Sequence, residues 1–251
     1  MLWLLGGHDP THGAGLYRDL VTARRLAPAL PRRFGVTALT EQGHGRPARA
    51  HPIPPERLRA RVARWPRPLA IKLGLVPDEL AATVAVLVGD TGAPVVVDPV
   101  LRASDGGSLG ATPHGLAPLL AIATLVTPNR DEALALLDAA TPTGDLPAAL
   151  GHRFPTTAIL LKDGHGTDPT RVVDRLILGP RVTAYARPRV PGPDPRGTGC
   201  ALATAIATHL ARGVPLERAV AEAVGWLDDE RTRWHPGPDG RAHLPDAAPR
   251  S

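Results

Sequence analysis

Short apolar runs alternate with amphipathic stretches along most of the chain. Leu2–Leu5 reads as a buried strand, because the run stops at Gly6-Gly7. A Gly-rich turn follows, then a helix from about Gly13 to Leu30. Val36–Leu39 is a second strand. Arg46–Pro55, rich in Pro and Arg, predicts a short edge strand or flap, where proline is tolerated. Leu58, Val62 and Trp65 then recur at helical spacing, with Arg57, Arg59, Arg61 and Arg64 on the opposite, solvated face. Leu69–Leu73 is a strand, and about Pro77 to Val88 a helix. Val95–Val97, Leu125–Thr127 and Thr157–Leu161 are buried strands. They end in polar residues, at Asp98-Pro99, Pro128-Asn129 and Lys162-Asp163-Gly164. Val172–Leu178 and Arg181–Arg189 form a hairpin across Gly179-Pro180. Two helices follow, about Thr198–Arg212 and Pro215–Arg233.

This alternation predicts an α/β fold, with a mostly parallel sheet and helices on both faces. Residues 1–233 are expected to form one domain. The Pro/Gly-rich stretch 234–251 is expected to be a loose tail. In such sheets ligands bind at the carboxyl ends of the strands, so the polar residues ending each run are the place to look.

Composition changes this picture only at the margins. The 251 residues carry a net charge of +5, from 29 Lys+Arg against 24 Asp+Glu. Only two of the cations are lysines, Lys72 and Lys162. Abundant Arg, Pro, Gly and Ala look like coding bias, so the basicity does not point to nucleic acid. Aromatic residues make up 3%, too few for base-stacking platforms. No apolar run is long enough to span a membrane. Met1 to Gly7 lacks the basic start of a secretory signal. One cysteine excludes a disulfide framework and points to the cytoplasm.

Four stretches could carry chemistry. Gly197-Thr198-Gly199-Cys200 opens an apolar helix. Glycines before a helix leave backbone N–H groups bare, and the helix dipole adds positive charge, so the stretch suits a phosphoryl group. The same field is expected to lower the Cys200 thiol pKa. It could equally be a plain helix start with a small buried cysteine. Asn129 and Glu132 lie three residues apart and share one side of a first turn. They suit the oxygen shell of a hydrated Mg²⁺, or equally a helix cap. Lys162, at a strand end, offers a compact ammonium to a phosphate. Gly6 to Gly15 does not match the dinucleotide spacing; Asp9 and Gly13-Ala14-Gly15 suggest close approach of a flat ligand.

In combination these blocks resemble the ribokinase superfamily, and within it the hydroxymethylpyrimidine/phosphomethylpyrimidine kinases. Gly7-His8-Asp9-Pro10-Thr11-His12-Gly13-Ala14-Gly15-Leu16 with Asp19-Leu20 is similar to that family's first block. Thr37-Ala38-Leu39-Thr40-Glu41-Gln42, Lys72-Leu73-Gly74-Leu75, Asp98-Pro99-Val100, Thr127-Pro128-Asn129 through Glu132, Leu161-Lys162-Asp163-Gly164-His165 and Gly197-Thr198-Gly199-Cys200 follow in the family's order. The resemblance implies a three-layer α/β/α sandwich with little or no separate lid. It implies ATP and Mg²⁺, a hydroxymethylpyrimidine substrate or its monophosphate, and a homodimer; the alternatives are a kinase of pyridoxal or another hydroxymethyl heterocycle, and a catalytically weak pyrimidine-binding relative. By position, Gly197, Thr198 and Gly199 would form the anion hole and Cys200 would occupy the catalytic position. Asp98, Asn129 and Glu132 would organise the metal, and Lys162 and Asn129 the nucleotide. Gly7, Asp9, Ala14, Gln42, Leu75 and Val100 would line the pyrimidine pocket. The chain departs from the family pattern at His8, His12, Tyr17, Glu41 and Asp163. His8 and His12 are expected to add bulk beside the pyrimidine, and Asp163 a negative charge near the ATP phosphates.

Overall fold

The computed structural model describes residues 1–41, 48–102, 107–137, 144–164, 166 and 168–246. Strand β1 (Leu2–His8) lies near the middle of a nine-stranded sheet. Its residues alternate between two cores: Leu2 and Leu4 face one, Trp3 and Leu5 the other. That alternation, apolar throughout Leu2–Leu5, marks a strand buried on both faces. From β1 the chain runs through α1 (Gly15–Leu26) into β2 (Arg32–Glu41), and β3 (Arg49–Pro52) pairs antiparallel with β2 at the sheet edge. It then returns through α2 (Pro55–Val62) to β4 (Ala70–Leu73), on the other side of β1. Helix α3 (Asp78–Gly89), β5 (Val95–Val97), α4 (Ala117–Leu120), β6 (Leu125–Val126), α5 (Arg130–Leu136), α6 (Leu146–Arg153) and β7 (Ala158–Leu161) extend the parallel sheet. The antiparallel hairpin β8 (Arg171–Leu178) and β9 (Arg181–Pro188) closes that side. Helices α7 (Thr198–Ala211) and α8 (Leu216–Arg231) follow.

The strand order is β3-β2-β1-β4-β5-β6-β7-β8-β9. Helices α1, α7 and α8 cover one face and α2, α3, α5 and α6 the other, which is the expected three-layer sandwich. The connection from β1 runs to β2 on one side, and the chain crosses back through α2 to β4 on the other, so a crevice opens at the carboxyl ends of these strands. Helix α2 buries Leu58 and Val62 and exposes its arginines, as its spacing predicts. Helices α4 and α6, short and proline-bearing, lie in a stretch where periodicity indicated no helix.

Several boundaries differ from expectation: β2, for one, spans Arg32–Glu41 and not only Val36–Leu39. Helix α1 starts at Gly15, not Gly13, because Asp9 binds the Ala14 N–H (3.0 Å) and holds the preceding residues in a turn. It ends at Leu26, not Leu30, because Pro28 disfavours helical geometry in the residue before it. The C-terminal stretch also differs from the loose tail expected of it through residue 246. Strands β10 (His235–Pro236) and β11 (Ala242–His243) form a hairpin. Leu244 is 1% exposed, and buried Arg18 of α1 donates to the Pro245 carbonyl (2.9 Å) and to Asp246 (3.0 Å).

Candidate functional site

Gly197, at φ +77°, caps α7 in the left-handed region that favours glycine. A Cβ there would collide with the Gly13 carbonyl, so glycine also allows two loops to touch. No side chain caps α7, and its first turn holds no acidic residue. The amides of Thr198, Gly199 and Cys200 therefore open the helix as an electropositive cradle.

Two strand-end side chains face that cradle. A Cβ on Gly199 would lie 3.2 Å from Lys162 Nζ and 3.7 Å from either Asp98 carboxylate oxygen. Lys162 donates to Asp98 at 3.1 Å and stands 3.9 Å from Glu132. Burial opposes both charges of the Lys162–Asp98 pair. The Lys162 and Lys72 ammoniums nevertheless hold Asp98 below its ordinary value, and Asp98 and Glu132 raise Lys162. Glu132 responds differently: burial pushes its carboxyl up to about 7, against the pull of Lys162. Asn129 and Glu132 form a reciprocal helix cap, with Glu132 N–H donating to Asn129 Oδ1 (2.9 Å) and Asn129 N–H to Glu132 Oε2 (2.8 Å). Both also line the cavity, so the cap holds the carboxylate toward Lys162.

All of this opens into a cavity of about 640 Å³, within the range of small-molecule sites. Its other end is more apolar. Gly7 abuts Leu75, since a Cβ on Gly7 would lie 2.8 Å from Leu75 Cδ2. Leu75 and Val100 belong to a small cluster with Ala38, Ala48, Leu109 and Ala111. Ala14 also lines the cavity, beside Gly197, where a Cβ on that glycine would lie 3.2 Å from Ala14 Cα. Gln42 lies outside the described residues.

Asp9 borders the cavity and is held there by the chain itself. It is 1% exposed, and its oxygens accept from Thr11 N–H (2.9 Å), Thr11 Oγ1 (2.8 Å), Ala14 N–H (3.0 Å) and Arg196 (3.2 Å). Asp163 does not line the cavity; its carboxylate accepts from Val173 N–H (3.4 Å). His8 and His12 do not line it either. His12, at φ +62°, is the one left-handed non-glycine among the described residues, and its ring stacks on Tyr17 with centroids 4.4 Å apart. Two departures from the family pattern thus meet in one contact.

Cys200 lies in the first turn of α7, against the start of α1, where the Gly15 N–H meets its sulfur. Burial pushes its thiol up to about 12; Lys72 and the Gly15 N–H pull the other way and lose, while Asp98 and Asp19 add to the rise. The thiol thus stands above its ordinary value, not below it as the helix terminus led one to expect: desolvation, with the Asp98 and Asp19 charges, outweighs the Lys72 ammonium and the Gly15 N–H.

Sequence reasoning passed over several residues at the cavity. Lys72 and Asp19 are both wholly buried at its floor, Lys72 Nζ lying 2.8 Å from each Asp19 oxygen; Thr204 donates to the same carboxylate at 2.8 Å. Lys72 was visible as one of only two lysines. Arg196 and Arg241 enter from the C-terminal part, where Arg196 could be found only by its place beside Gly197. Among the described residues no three His, Cys, Asp or Glu side chains converge as a metal-ligand set.

A parallel sheet with its cradle at the switch point beside β1 gives the chain a ribokinase-like fold. A pyridoxal kinase from Staphylococcus aureus, solved with ADP, superposes with a TM-score of 0.83 at 22% identity, over 98% of this chain and 93% of that one. The family profile described as phosphomethylpyrimidine kinase matches residues 9–239, and the chain belongs to that family. A thiamine biosynthesis multifunctional protein of Corynebacterium efficiens is 33% identical over 90% of this chain, which spans 32% of that relative's length. The hydroxymethylpyrimidine/phosphomethylpyrimidine kinase of Streptomyces coelicolor is 33% identical over 92% of this chain and 88% of its own length. Among the described residues no helix is long and apolar enough to cross a membrane.

Proposed function

We propose that this protein uses ATP to phosphorylate hydroxymethylpyrimidine, and its monophosphate, in thiamine biosynthesis. The observation that carries the reading is the uncapped α7 terminus facing Lys162 and Asp98, in one cavity with the Gly7–Leu75 wall. A cradle for a phosphoryl group and a flat apolar slot for a ring are thereby adjacent.

In this reading the amides at the start of α7, Gly197 to Cys200, stabilise charge on the phosphoryl group in transfer, and Lys162 contacts the nucleotide phosphates. The hard oxygens of Asp98, Asn129 and Glu132 fit a cation that keeps most of its water, since few protein ligands converge. They would hold Mg²⁺, which supplies charge neutralisation on the phosphates when bound. Gly7, Ala14, Leu75 and Val100 enclose the ring, with Gln42 as its polar partner. Cys200, a neutral thiol, shapes the acceptor end. The acceptor oxygen forms the new P–O bond as the bond to the ADP leaving group breaks, and the hydroxyl proton passes to a phosphoryl oxygen or to water, so the transfer asks little of a side-chain base. The same proposal makes the protein a cytoplasmic homodimer; sedimentation velocity tests the dimer, and a monomer would remove that part.

The deciding assay measures ADP release with hydroxymethylpyrimidine, its monophosphate and pyridoxal in parallel. Turnover on the pyrimidines is expected. Turnover on pyridoxal alone would overturn the substrate, and none on any acceptor would overturn the kinase reading.

A further inference from the structure

We propose that Asp239, at the turn of the C-terminal hairpin, is a positioning residue. It holds Arg196, and Arg196 clasps the phosphoryl cradle to the acceptor loop. The kinetic part of this inference rests on the kinase reading above; the structural part does not.

Arg196 immediately precedes Gly197, and its guanidinium is buried where three segments meet. Nη1 donates to Thr11 Oγ1 (2.8 Å) and to Asp239 Oδ2 (2.6 Å), and Nη2 to Asp9 Oδ2 (3.2 Å). That same Asp9 oxygen receives the Ala14 N–H at the start of α1. One cation therefore joins residues 9–14, at the acceptor end, to the residue that begins the anion hole. The hairpin reinforces it twice over. Arg196 N–H donates to the Ala242 carbonyl (2.8 Å), and His243 Nε2 lies 2.8 Å from the other Asp239 oxygen. The His243 ring packs on Gly13, where a Cβ would come within 2.9 Å of it.

Asp239 is not needed simply to dock the hairpin. Leu244 is buried in the core, and Arg18 binds Pro245 and Asp246. The Asp239 carboxylate is turned inward to Arg196 and His243. Transfer needs the acceptor oxygen and the phosphoryl group in line, and a displacement of about 1 Å can cost about 10²-fold in rate.

The test uses the full chain with Asp239→Ala, Asp239→Asn and Asp239→Glu. For the first two, kcat should fall by between about tenfold and about 10²-fold with KM for ATP within about twofold, because the cradle persists while its distance to the acceptor loosens. Asp239→Glu should recover most of the rate. Asp239→Ala should cost nothing further in an Arg196→Ala background, since both remove one clasp. Amide exchange should quicken at residues 9–14 and 196–200 in Asp239→Ala but not in β4 or β5. Unchanged kcat would overturn the positioning role. Exchange rising equally in β4 and β5 would reduce Asp239 to general stability and also overturn it. If the wild type phosphorylates none of the acceptors, the kinase reading fails, and the exchange pattern alone decides the clasp.

Discussion

The Cys200 thiol offers the sharpest quantitative test. An unperturbed thiol with a pKa of 9.0 is about one-tenth thiolate at a pH of about 8; pushed up to about 12, it is about 10⁻⁴ thiolate. Because the thiolate is the nucleophile, iodoacetamide should label Cys200 about 10³-fold more slowly than a free thiol. Its rate should climb with pH without an inflection below about 10. Mass-spectrometric labelling at a series of pH values reads this directly, and Cys200 is the only cysteine in the chain. A neutral thiol also predicts that Cys200→Ser keeps kcat/KM within about tenfold, as a hydroxyl can fill the space without serving as a base. Labelling with a midpoint near neutrality, at rates close to those of a free thiol, would refute the reasoning. Cys200 would then be a thiolate, and general-base catalysis would return with it.

Four further outcomes are expected. Gly197→Ala adds a Cβ in the left-handed region and against Gly13, so phosphoryl transfer should drop by at least about 10²-fold by the loss of oxyanion-type donors; wild-type kinetics would remove the cradle role. Lys72→Met strands the buried Asp19 carboxylate and should cost about 3–5 kcal/mol in urea unfolding, much of it recovered by adding Asp19→Asn; additive losses would contradict a paired buried charge. Glu132→Gln should raise the Mg²⁺ needed for half-activity while leaving pyrimidine binding unchanged, as titration of both ligands would show. Asp239, held at about 2 by Arg196, the Arg241 N–H and His243 against its burial, stabilises the fold above its ordinary 3.8; thermal melts should lose that contribution as pH falls from about 4 to about 2, and Asp239→Asn should flatten that slope.

The parallel strands were legible because both of their faces are buried, so apolar runs such as Val95–Val97 stand out without periodicity. Their ends were legible for the opposite reason: Asp98, Asn129 and Lys162 are polar residues where the apolar run stops. The Gly197 turn could be read because only glycine suits its geometry. The role of Asp9 could not be read, because its partner Arg196 lies 187 residues away and nothing local marks the pairing. Likewise Asp19 looked like an ordinary helix residue until β4 brought Lys72 against it. The thiol shift was read with the wrong sign because the helix terminus is visible in the sequence, whereas the burial that outweighs it comes from α1 and β4. The tail looked loose because Pro and Gly dominate its composition; Leu244, Arg18 and Arg196 anchor it all the same.

The ties between α1, Arg196 and the last hairpin bear on how the protein is made. Arg18 reaches 227 residues forward to Pro245, and the Arg196 clasp needs both Asp9 and Asp239. A chain emerging from the ribosome can pair β1, β2 and β4 early, yet the cavity end that Arg196 ties together stays unassembled until residue 246 is out. Such long-range closure slows folding relative to the local strand–helix units. During that interval the cavity lacks one wall, so a nascent or truncated chain would hold a formed sheet and an inactive site.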